Sequence, residues 1–211
     1  MVRLYHTKNS QIFRNFNAKK ESMSQETIKK LNDEIAELKK ENERLRKDAS
    51  HDKLTGLPNK AHFEEELNSA VSRAKRQKGN IAVLFMDLNG FKKVNDDYGH
   101  ETGDKLLVAA AQKLKAVTRG GDMMARLGGD EFTAIAFDVS EEKQAEMFAA
   151  RVYKIFETPV SVGKNDFKIG ISIGIAIGPA GEESPKEFLH RADLAMYQSK
   201  KEKKPWCFAL N

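Results

Sequence analysis

The stretch Ile81–Tyr98 reads IAVLFMDLNGFKKVNDDY and encodes an apolar segment that runs into a short helix. Residues 81–88 are apolar almost throughout, which is typical of a strand covered on both faces. Gly90 interrupts the strand, and the amide-rich N-terminus of the helix beyond it can cradle a phosphate. The amides near Phe91 and Lys92 would face that group, and the Lys92 ammonium adds positive charge. The same junction also occurs in proteins that bind no phosphate.

Helices and strands alternate on both sides of this segment. Before it, Asn59 caps a helix that runs to about Lys78. After it, a helix over 104–117 leads to the strands MMARL and FTAIAF, which GGDE joins as a hairpin. The rest of the body is a helix over 141–156, a strand pair around PVSVG and FKIGISIGIAIG, a helix over 185–201 and a final strand, WCFAL. This order predicts an α/β sandwich in which helices pack on one sheet.

Acidic side chains stand at two strand ends. Asp87 closes the apolar strand, where an isolated carboxylate needs a cation or solvent to receive it. Asp130 and Glu131 lie at the hairpin tip, where Gly128 and Gly129 permit backbone angles that other residues avoid. If the hairpin lies beside the Asp87 strand, the carboxylates converge and offer only oxygen ligands, which suits magnesium. A simple polar turn explains the hairpin residues equally well.

A heptad pattern precedes the body over residues 28–49. Its seam positions are Ile28, Leu31, Ile35, Leu38, Asn42, Leu45 and Ala49. Isoleucine at a, leucine at d and one asparagine at a favour a parallel dimeric coiled coil. Glu34 and Glu41 at g would face Lys39 and Arg46 at e of the partner helix. The alternative is an amphipathic helix that lies on its own domain, and three heptads are short enough that we expect weak dimerisation by this segment alone.

Length and composition limit the remaining classes. The 211 residues provide one domain plus an extension, and 40% of them are hydrophobic. Five of the 36 basic side chains lie in residues 1–20 without an acidic one, and the other 31 balance the 31 acidic side chains. The net charge of +5 therefore lies in the N-terminal residues, which we expect to form a flexible leader. No apolar run approaches the roughly 20 residues that span a bilayer. With no secretory signal and Cys207 as the only cysteine, we expect a cytoplasmic protein without a membrane span.

Five motifs occur in the order and spacing of one bacterial family. They are LTGLPNK, MDLNGFKKVNDDYGHETGD, RLGGDEF, ISIGIAIG and RADLAMYQSK. Over residues 52–208 the chain resembles the GGDEF domain, the diguanylate cyclase module of bacteria. The resemblance implies the palm-like α/β fold of nucleotide cyclases and polymerases, with a mainly antiparallel central sheet flanked by helices. The expected parts are a leader over 1–23, a parallel dimeric coiled coil over 24–50 and a GGDEF domain over 51–211.

The resemblance also implies a reaction and its residues. Two GTP molecules would condense to cyclic di-GMP and two pyrophosphates between two domains that meet face to face. The Mg²⁺ or Mn²⁺ ligands would be Asp87, the backbone carbonyl of Leu88, Asp130 and Glu131, and the catalytic residues would be Asp130, Glu131 and Lys92. The substrate-binding residues would be Phe91, Asn95, His100, Asp104, Lys200 and Lys204. A carboxylate such as Asp104 accepts the N1 and N2 hydrogens of guanine, although by itself it also suits an N-terminal helix cap.

The sequence departs from the family pattern at two positions. Asn89 stands where aspartate is usual, which removes a negative charge near the metal ligands. Lys204 replaces an arginine and keeps its charge but loses the bidentate fork. These departures support an alternative function, in which a weakly active or inactive GGDEF domain serves as a receptor for GTP or cyclic di-GMP.

A regulatory motif precedes the hairpin. Arg119-Gly-Gly-Asp122 matches the family's RxxD site, at which the product cyclic di-GMP inhibits turnover. Arginine offers a planar fork to phosphate or guanine edges, so we expect feedback inhibition through Arg119 and Asp122. A DNA-binding zipper dimer is a further alternative, but QIFRNFNAKK is less basic than groove-reading helices usually are. We therefore expect no specific nucleic-acid partner.

Overall fold

A computed structural model describes residues 25, 27–45, 47–179 and 183–210. The chain divides into two compact units, with the boundary between Ala49 and Ser50. The leader predicted for residues 1–23 lies outside the described residues, and the two predicted domain boundaries, after residues 23 and 50, stay a prediction. No helix in the described ranges is long and apolar enough to cross a membrane.

Helix α1 is described over residues 27–45 and 47–50, and it belongs to the first unit as far as Ala49. Its large apolar seam residues are 48% to 63% exposed: Ile28, Leu31, Ile35, Leu38 and Leu45. Arg44 forms ion pairs with Glu41 at 2.7 Å and with Asp48 at 3.6 Å on the same helix. The predicted pairing of Glu41 with a partner helix stays a prediction, because Arg46 lies outside the described residues. The helix therefore presents an apolar stripe to solvent.

The second unit is built on a five-stranded sheet. Its strands are β1 (Ile81–Asn89), β2 (Met123–Gly128), β3 (Glu131–Ala136), β6 (Gly170–Gly178) and β7 (Trp206–Phe208), in the order β2-β3-β1-β6-β7. The pair β6–β7 is parallel, and the other neighbours are antiparallel. The short strands β4 (Val160–Val162) and β5 (Asn165–Phe167) form a separate hairpin. The predicted mainly antiparallel sheet is confirmed.

Five helices flank this sheet. They are α2 (Lys60–Gln77), α3 (Phe91–Tyr98), α4 (His100–Val117), α5 (Glu142–Glu157) and α6 (Pro185–Glu202). Asn59 caps α2 as predicted, because its side chain accepts a hydrogen bond from the His62 amide at 3.0 Å. Helix α4 begins at His100, four residues earlier than predicted, directly after Gly99. The interpretation of Asp104 as an N-terminal cap is therefore wrong, since that residue lies inside the helix.

The two faces of β1 are both buried, as its continuous apolar run predicts. Successive side chains of a strand point to opposite faces. Ala82, Leu84 and Met86 pack in the core formed with α3, α4 and α5, whereas Val83 and Phe85 pack with α2 and α6. The sheet is thus the middle layer of three, and Asp87 emerges where β1 leaves the core.

Helix α6 lies against β6 at a glycine. A Cβ atom on Gly174 would stand 2.0 Å from the carbonyl oxygen of Ala192 and 2.1 Å from the amide nitrogen of Met196. No side chain fits in this space, because both neighbours are backbone atoms. The absence of a side chain therefore allows α6 to pack with its backbone directly on the sheet.

Candidate functional site

The acidic segments of β1 and of the β2–β3 hairpin lie side by side. Asp87 is the register partner of Glu131 in the antiparallel β1–β3 pair. The Leu88 amide donates a hydrogen bond to the backbone carbonyl of Asp130 at 3.2 Å. Gly129 at the tip has φ 51°, in the left-handed region that glycine adopts readily. The fold thus brings together acidic residues that are far apart in sequence, and these residues form the acidic corner of the sheet.

The acidic corner carries an excess of negative charge. Burial, and then the charge of Asp87, raises the pKa of Asp130 above its ordinary value, although Lys200 and Arg126 oppose this shift. Burial and the nearby Asp193 raise the pKa of Glu131, but its side chain is exposed to water, which weakens these effects. Carboxylates that repel one another in this way bind a cation favourably.

A positively charged side chain, that of Lys200, lies in the acidic corner. The Lys200 ammonium, on α6, donates a hydrogen bond to Asp87 Oδ1 at 2.6 Å. The lysine side chain is 48% exposed and the aspartate side chain 14% exposed. The structure therefore places Lys200 beside the acidic residues, and the phosphate contact that the family resemblance implies for this lysine stays a prediction.

The oxygen atoms of the corner suit a divalent metal ion. Among the residues that the structure describes, no three His, Cys, Asp or Glu side chains converge closely enough to hold a metal by themselves. Asp87, Asp130 and the backbone carbonyl of Leu88 would leave coordination positions for water and phosphate oxygens. Magnesium commonly binds through one or two carboxylates in this manner. The donor set therefore fits a metal that is completed by a nucleotide.

An unpaired amide marks the predicted guanine site. Asn95 Oδ1 on α3 is the one buried side-chain polar atom without a hydrogen-bond partner in the described part of the chain. A Cβ on Gly103 of α4 would lie 1.8 Å from this oxygen, so the glycine leaves the room that the amide occupies. Asp104 and His100 are exposed on the same helix. The structure thus packs the Asn95 amide against Gly103 near the start of α4, and its contact with guanine stays a prediction.

The junction of β1 and α3 offers backbone amides. Gly90 has φ 85° and is the N-cap of α3. The first amides of a helix have no acceptor within the helix, so those of Phe91 and Lys92 are available to an anion. The Phe91 side chain is buried in the core, whereas the Lys92 side chain is exposed. Phe91 can therefore contribute its amide, and Lys92 both its amide and its charge.

The two departures from the family pattern have local partners. Asn89 donates a hydrogen bond to the Ser172 hydroxyl at 3.0 Å and accepts one from it at 3.1 Å. Lys204 pairs with Glu202 at 2.7 Å, and this carboxylate raises the pKa of the ammonium. Lys204 is thus held by a neighbour in the chain and not by the acidic corner.

Arg126 was missed by the sequence analysis. Its guanidinium donates to Asp52 Oδ1 at 2.8 Å, and its Nε and Nη2 donate to the Gly129 carbonyl at 3.0 and 2.8 Å. The side chains of Arg126 and Asp52 are only 10% and 23% exposed. The sequence feature that could have indicated its role is the position of Arg126 two residues before the GGDEF motif. Arg126 ties the segment before α2 to the turn that carries Asp130.

The predicted inhibitory residues lie at the other end of β2. The Asp122 amide donates to the Arg119 carbonyl at 3.0 Å, which closes a four-residue turn. Asp122 Oδ1 accepts from the Phe137 amide at 3.3 Å, yet burial raises the pKa of this carboxyl. Six strand residues place this turn about 20 Å from the acidic corner.

Arg151 on α5 is a further residue that the sequence analysis did not identify. Burial, and then the charge of Arg119, lowers the pKa of its guanidinium, while Asp122 opposes the shift. Arg151 therefore lies near both members of the RxxD turn. The pattern gave no signal for it, because α5 reaches this turn only through the tertiary fold.

A mainly antiparallel sheet with helices on both faces and acids at adjoining strand ends defines a palm-like domain of the nucleotide cyclase type. A family model described as "Diguanylate cyclase, GGDEF domain" matches residues 49–205, and the chain belongs to this family. GGDEF diguanylate cyclases bind GTP and cyclic di-GMP and use a divalent metal ion. The recognition from sequence motifs is confirmed.

Relatives and solved structures agree with this family. The bifunctional diguanylate cyclase/cyclic di-GMP phosphodiesterase MucR of Pseudomonas aeruginosa is 40% identical over 161 residues, 76% of this chain and 23% of MucR. The diguanylate cyclase TpbB of the same species is 37% identical over 168 residues, 79% of this chain and 39% of TpbB. The chain thus spans well under half the length of these two curated relatives.

Two solved structures support the fold. The isolated GGDEF domain of TpbB matches with a TM-score of 0.72 at 35% identity, covering 76% of this chain and 94% of that chain. The coiled coil and GGDEF domain of DgcB from Caulobacter crescentus, in complex with cyclic di-GMP, matches with a TM-score of 0.74 at 28% identity. The match covers 83% of this chain and 93% of the DgcB chain. The predicted fold class is confirmed.

Proposed function

We propose that this domain is a diguanylate cyclase that condenses two GTP molecules to cyclic di-GMP and two pyrophosphates. The observation that carries the proposal is the acidic corner, where Asp87 and the Asp130 hairpin meet beside Lys200. Unlike a simple polar turn, this corner joins hard oxygen ligands to a helix N-terminus that suits phosphate. A cyclase needs access to GTP, so we place its action in the cytoplasm.

Each domain would bind one GTP. Asn95 and Asp104 would bind the guanine, with His100 nearby, and the α3 amides with Lys92 would bind the phosphates. Asp87, the Leu88 carbonyl, Asp130 and Glu131 would hold Mg²⁺ or Mn²⁺. A bound divalent ion lowers the pKa of the ribose 3′-hydroxyl and neutralises charge on the α-phosphate. Lys92 would stabilise the negative charge that develops during the attack of that hydroxyl on the α-phosphorus.

The reaction requires two domains to meet. The attacking hydroxyl and the attacked phosphorus belong to different GTP molecules, so one domain holds only half of the reactants. The exposed apolar stripe of α1 supports a homodimer through residues 28–49. A short connection between paired helices and the two domains would raise their effective concentration and favour productive encounters.

Product inhibition would act through the RxxD turn. Arg119 and Asp122 stand at the ends of this turn, and Arg151 approaches both. Guanidinium groups bind phosphate or guanine edges through paired hydrogen bonds, and Asp122 can accept from a base. Cyclic di-GMP bound here would lower turnover from a position remote from the acidic corner.

Purified chain incubated with GTP and Mg²⁺ tests the proposal. We expect cyclic di-GMP, measured by chromatography, and a loss of at least about 100-fold in rate for Asp130→Ala. Glu157→Gln, at the exposed end of α5, is the matched control and should turn over at the wild-type rate. Wild-type turnover by Asp130→Ala would contradict the proposed site.

The receptor function remains the second candidate. It is favoured by the engagement of Lys204 with Glu202, which keeps that lysine away from the acidic corner. A receptor would bind GTP or cyclic di-GMP in calorimetry but form no product with either Mg²⁺ or Mn²⁺. Binding without product formation would contradict the cyclase function and support the receptor function.

A further inference from the structure

A cleft of about 520 Å³ lies between the RxxD turn and the segment that opens the second unit. One wall carries Arg119, Asp122 and Lys115, and the opposite wall carries His51, His62 and Glu66. The volume falls in the range of roughly 300 to 1,000 Å³ that is usual for small-molecule sites. The RxxD turn is thus one side of a larger site whose second side has no assigned role.

We propose that His51, His62 and Glu66 form a guanine subsite for a cyclic dinucleotide whose other contacts are Arg119 and Asp122. The inference rests on the proposed product inhibition and assigns that ligand a second wall. These three residues lie outside the RxxD motif and outside the acidic corner, and their wall would select guanine in preference to adenine.

The two histidines supply planar surfaces. Their ring centroids are 6.1 Å apart, with 35° between the planes. Ser50 Oγ lies 2.8 Å from His51 Nδ1, which holds that ring in place. Both histidines are half-buried, so their rings are partly fixed and still accessible from the cleft. Aromatic faces of this kind bind nucleobases by stacking.

Glu66 supplies the base-reading group. It follows His62 by four residues on α2, so both side chains lie on one face of that helix. Glu66 is half-buried and forms no hydrogen bond or ion pair in the described ranges of the chain. A free carboxylate can accept both the N1 hydrogen and an N2 hydrogen of guanine. Adenine lacks this pair of donors, so a carboxylate beside a stacked base discriminates against it.

The opposite wall supplies positive charge for phosphate. Arg119 and Lys115 are exposed, and their side chains form no hydrogen bond in the part of the chain that the structure describes. Charged hydrogen bonds from such groups to phosphate oxygens are among the stronger polar contacts. The cleft therefore offers stacking, a guanine acceptor and phosphate donors together, which is the combination that a cyclic dinucleotide requires. His51 lies in the segment that directly follows α1, so a ligand in this cleft would contact that segment.

Calorimetric titration of the full chain with cyclic di-GMP and cyclic di-AMP tests the subsite. We expect Glu66→Gln to weaken cyclic di-GMP binding about tenfold and to reduce the preference for it over cyclic di-AMP. His62→Ala should weaken binding about tenfold, and His62→Phe should restore most of the loss by stacking. Glu65→Gln, one residue away and exposed, is the control and should bind as wild type.

The outcomes separate this subsite from the inhibitory site on which it rests. If Arg119→Ala loses binding but Glu66→Gln and His62→Ala bind as wild type, the subsite is wrong and the inhibitory site stands. If Arg119→Ala also binds as wild type, the inhibitory site fails and the subsite with it. Thermal unfolding of each variant checks folding, and the selectivity between the two dinucleotides supplies a readout that a purely structural role of Glu66 would not change.

Discussion

The two ends of strand β2 hold their charged side chains in different ways. At the end next to the acidic corner, Arg126 bridges Asp52 and the Gly129 carbonyl, and Lys200 lies on Asp87. Arg126, Asp52, Lys200 and Asp87 therefore have partners within the chain before any ligand arrives. Chemistry benefits from such preorganisation, because no reorganisation is needed at the moment of reaction.

The other end of β2 is open. Arg119, Lys115 and Glu66 line its cleft and form no hydrogen bond or ion pair within the described ranges. A ligand that supplies their partners gains each contact without displacing an existing one. The difference teaches that one hairpin combines an end whose arginine is fixed by partners within the chain with an end whose arginine side chain forms no hydrogen bond or ion pair among the described residues. The proposed catalytic role would need the first arrangement, and the proposed inhibitory role the second.

Removal of the Arg126 bridge, at the end of β2 next to the acidic corner, should have the largest effect on stability and on rate. Arg126→Ala leaves a half-buried carboxylate and the Gly129 carbonyl without their donor, so we expect a loss of about 2 kcal/mol in unfolding free energy. Cyclase rate should fall about 100-fold as the turn before Asp130 loosens. Urea unfolding and product formation measure both. Arg44→Ala, which removes an exposed ion pair on α1, is the control and should unfold at the same urea concentration as the wild type.

The pH dependence of that loss sharpens the assignment. Burial opposes ionisation of Asp52, but hydrogen bonds from Thr55 and Arg126 outweigh it and lower the pKa of the carboxyl. The folded pKa lies below the unfolded value, so this stability is present at neutral pH and disappears as the pH falls through the folded value. The difference between wild type and Arg126→Ala should therefore shrink in acid. A constant difference across this range would assign the effect to packing.

At the RxxD end, Arg151→Ala should weaken feedback by about tenfold, because the proposed product site would lose a positive charge that lies near Arg119 and Asp122. The measurement is the cyclic di-GMP concentration that halves the cyclase rate. Lys154→Ala, on the same helix, provides the comparison and should show wild-type feedback. Unchanged inhibition of Arg151→Ala would leave the RxxD turn with only Arg119 and Asp122.

The smallest expected effect concerns Lys200 in the acidic corner. Lys200→Met removes the ammonium that competes with a metal for Asp87, so metal affinity without nucleotide should rise about threefold, a modest change because the lysine is half exposed. GTP affinity should fall, since a phosphate contact is lost. Calorimetric titration with Mn²⁺, and then with GTP, measures whether each of the two affinities rises or falls. Parallel changes in both affinities would contradict competition at Asp87.

Local pattern in the sequence predicted most of the fold. The apolar run of β1, the glycines of the hairpin and the Asn59 cap each act over a few residues, and the structure places these elements as expected. The start of α4 was misplaced because Gly99 ends one helix and begins the next, a boundary without a strong local signal.

Long-range contacts account for what the sequence could not predict. The motifs identified Asp87, Asp130 and Lys200, which the fold brings to one corner. Arg126 and Arg151 act on residues that reach them only after the hairpin, α2 and α5 have packed. The partner of the α1 stripe depends on a second chain, which no pattern within one chain describes.

Gly174 has a consequence for the spacing of charges. The helix that carries Lys200 rests on the sheet through backbone atoms at this glycine. Even one methyl group there would push the helix away from the sheet, because it would stand 2.0 Å from a backbone oxygen, and this shift would move the backbone that carries Lys200 away from Asp87. The missing side chain of Gly174 thus sets the spacing between the helix that carries Lys200 and the sheet that carries Asp87.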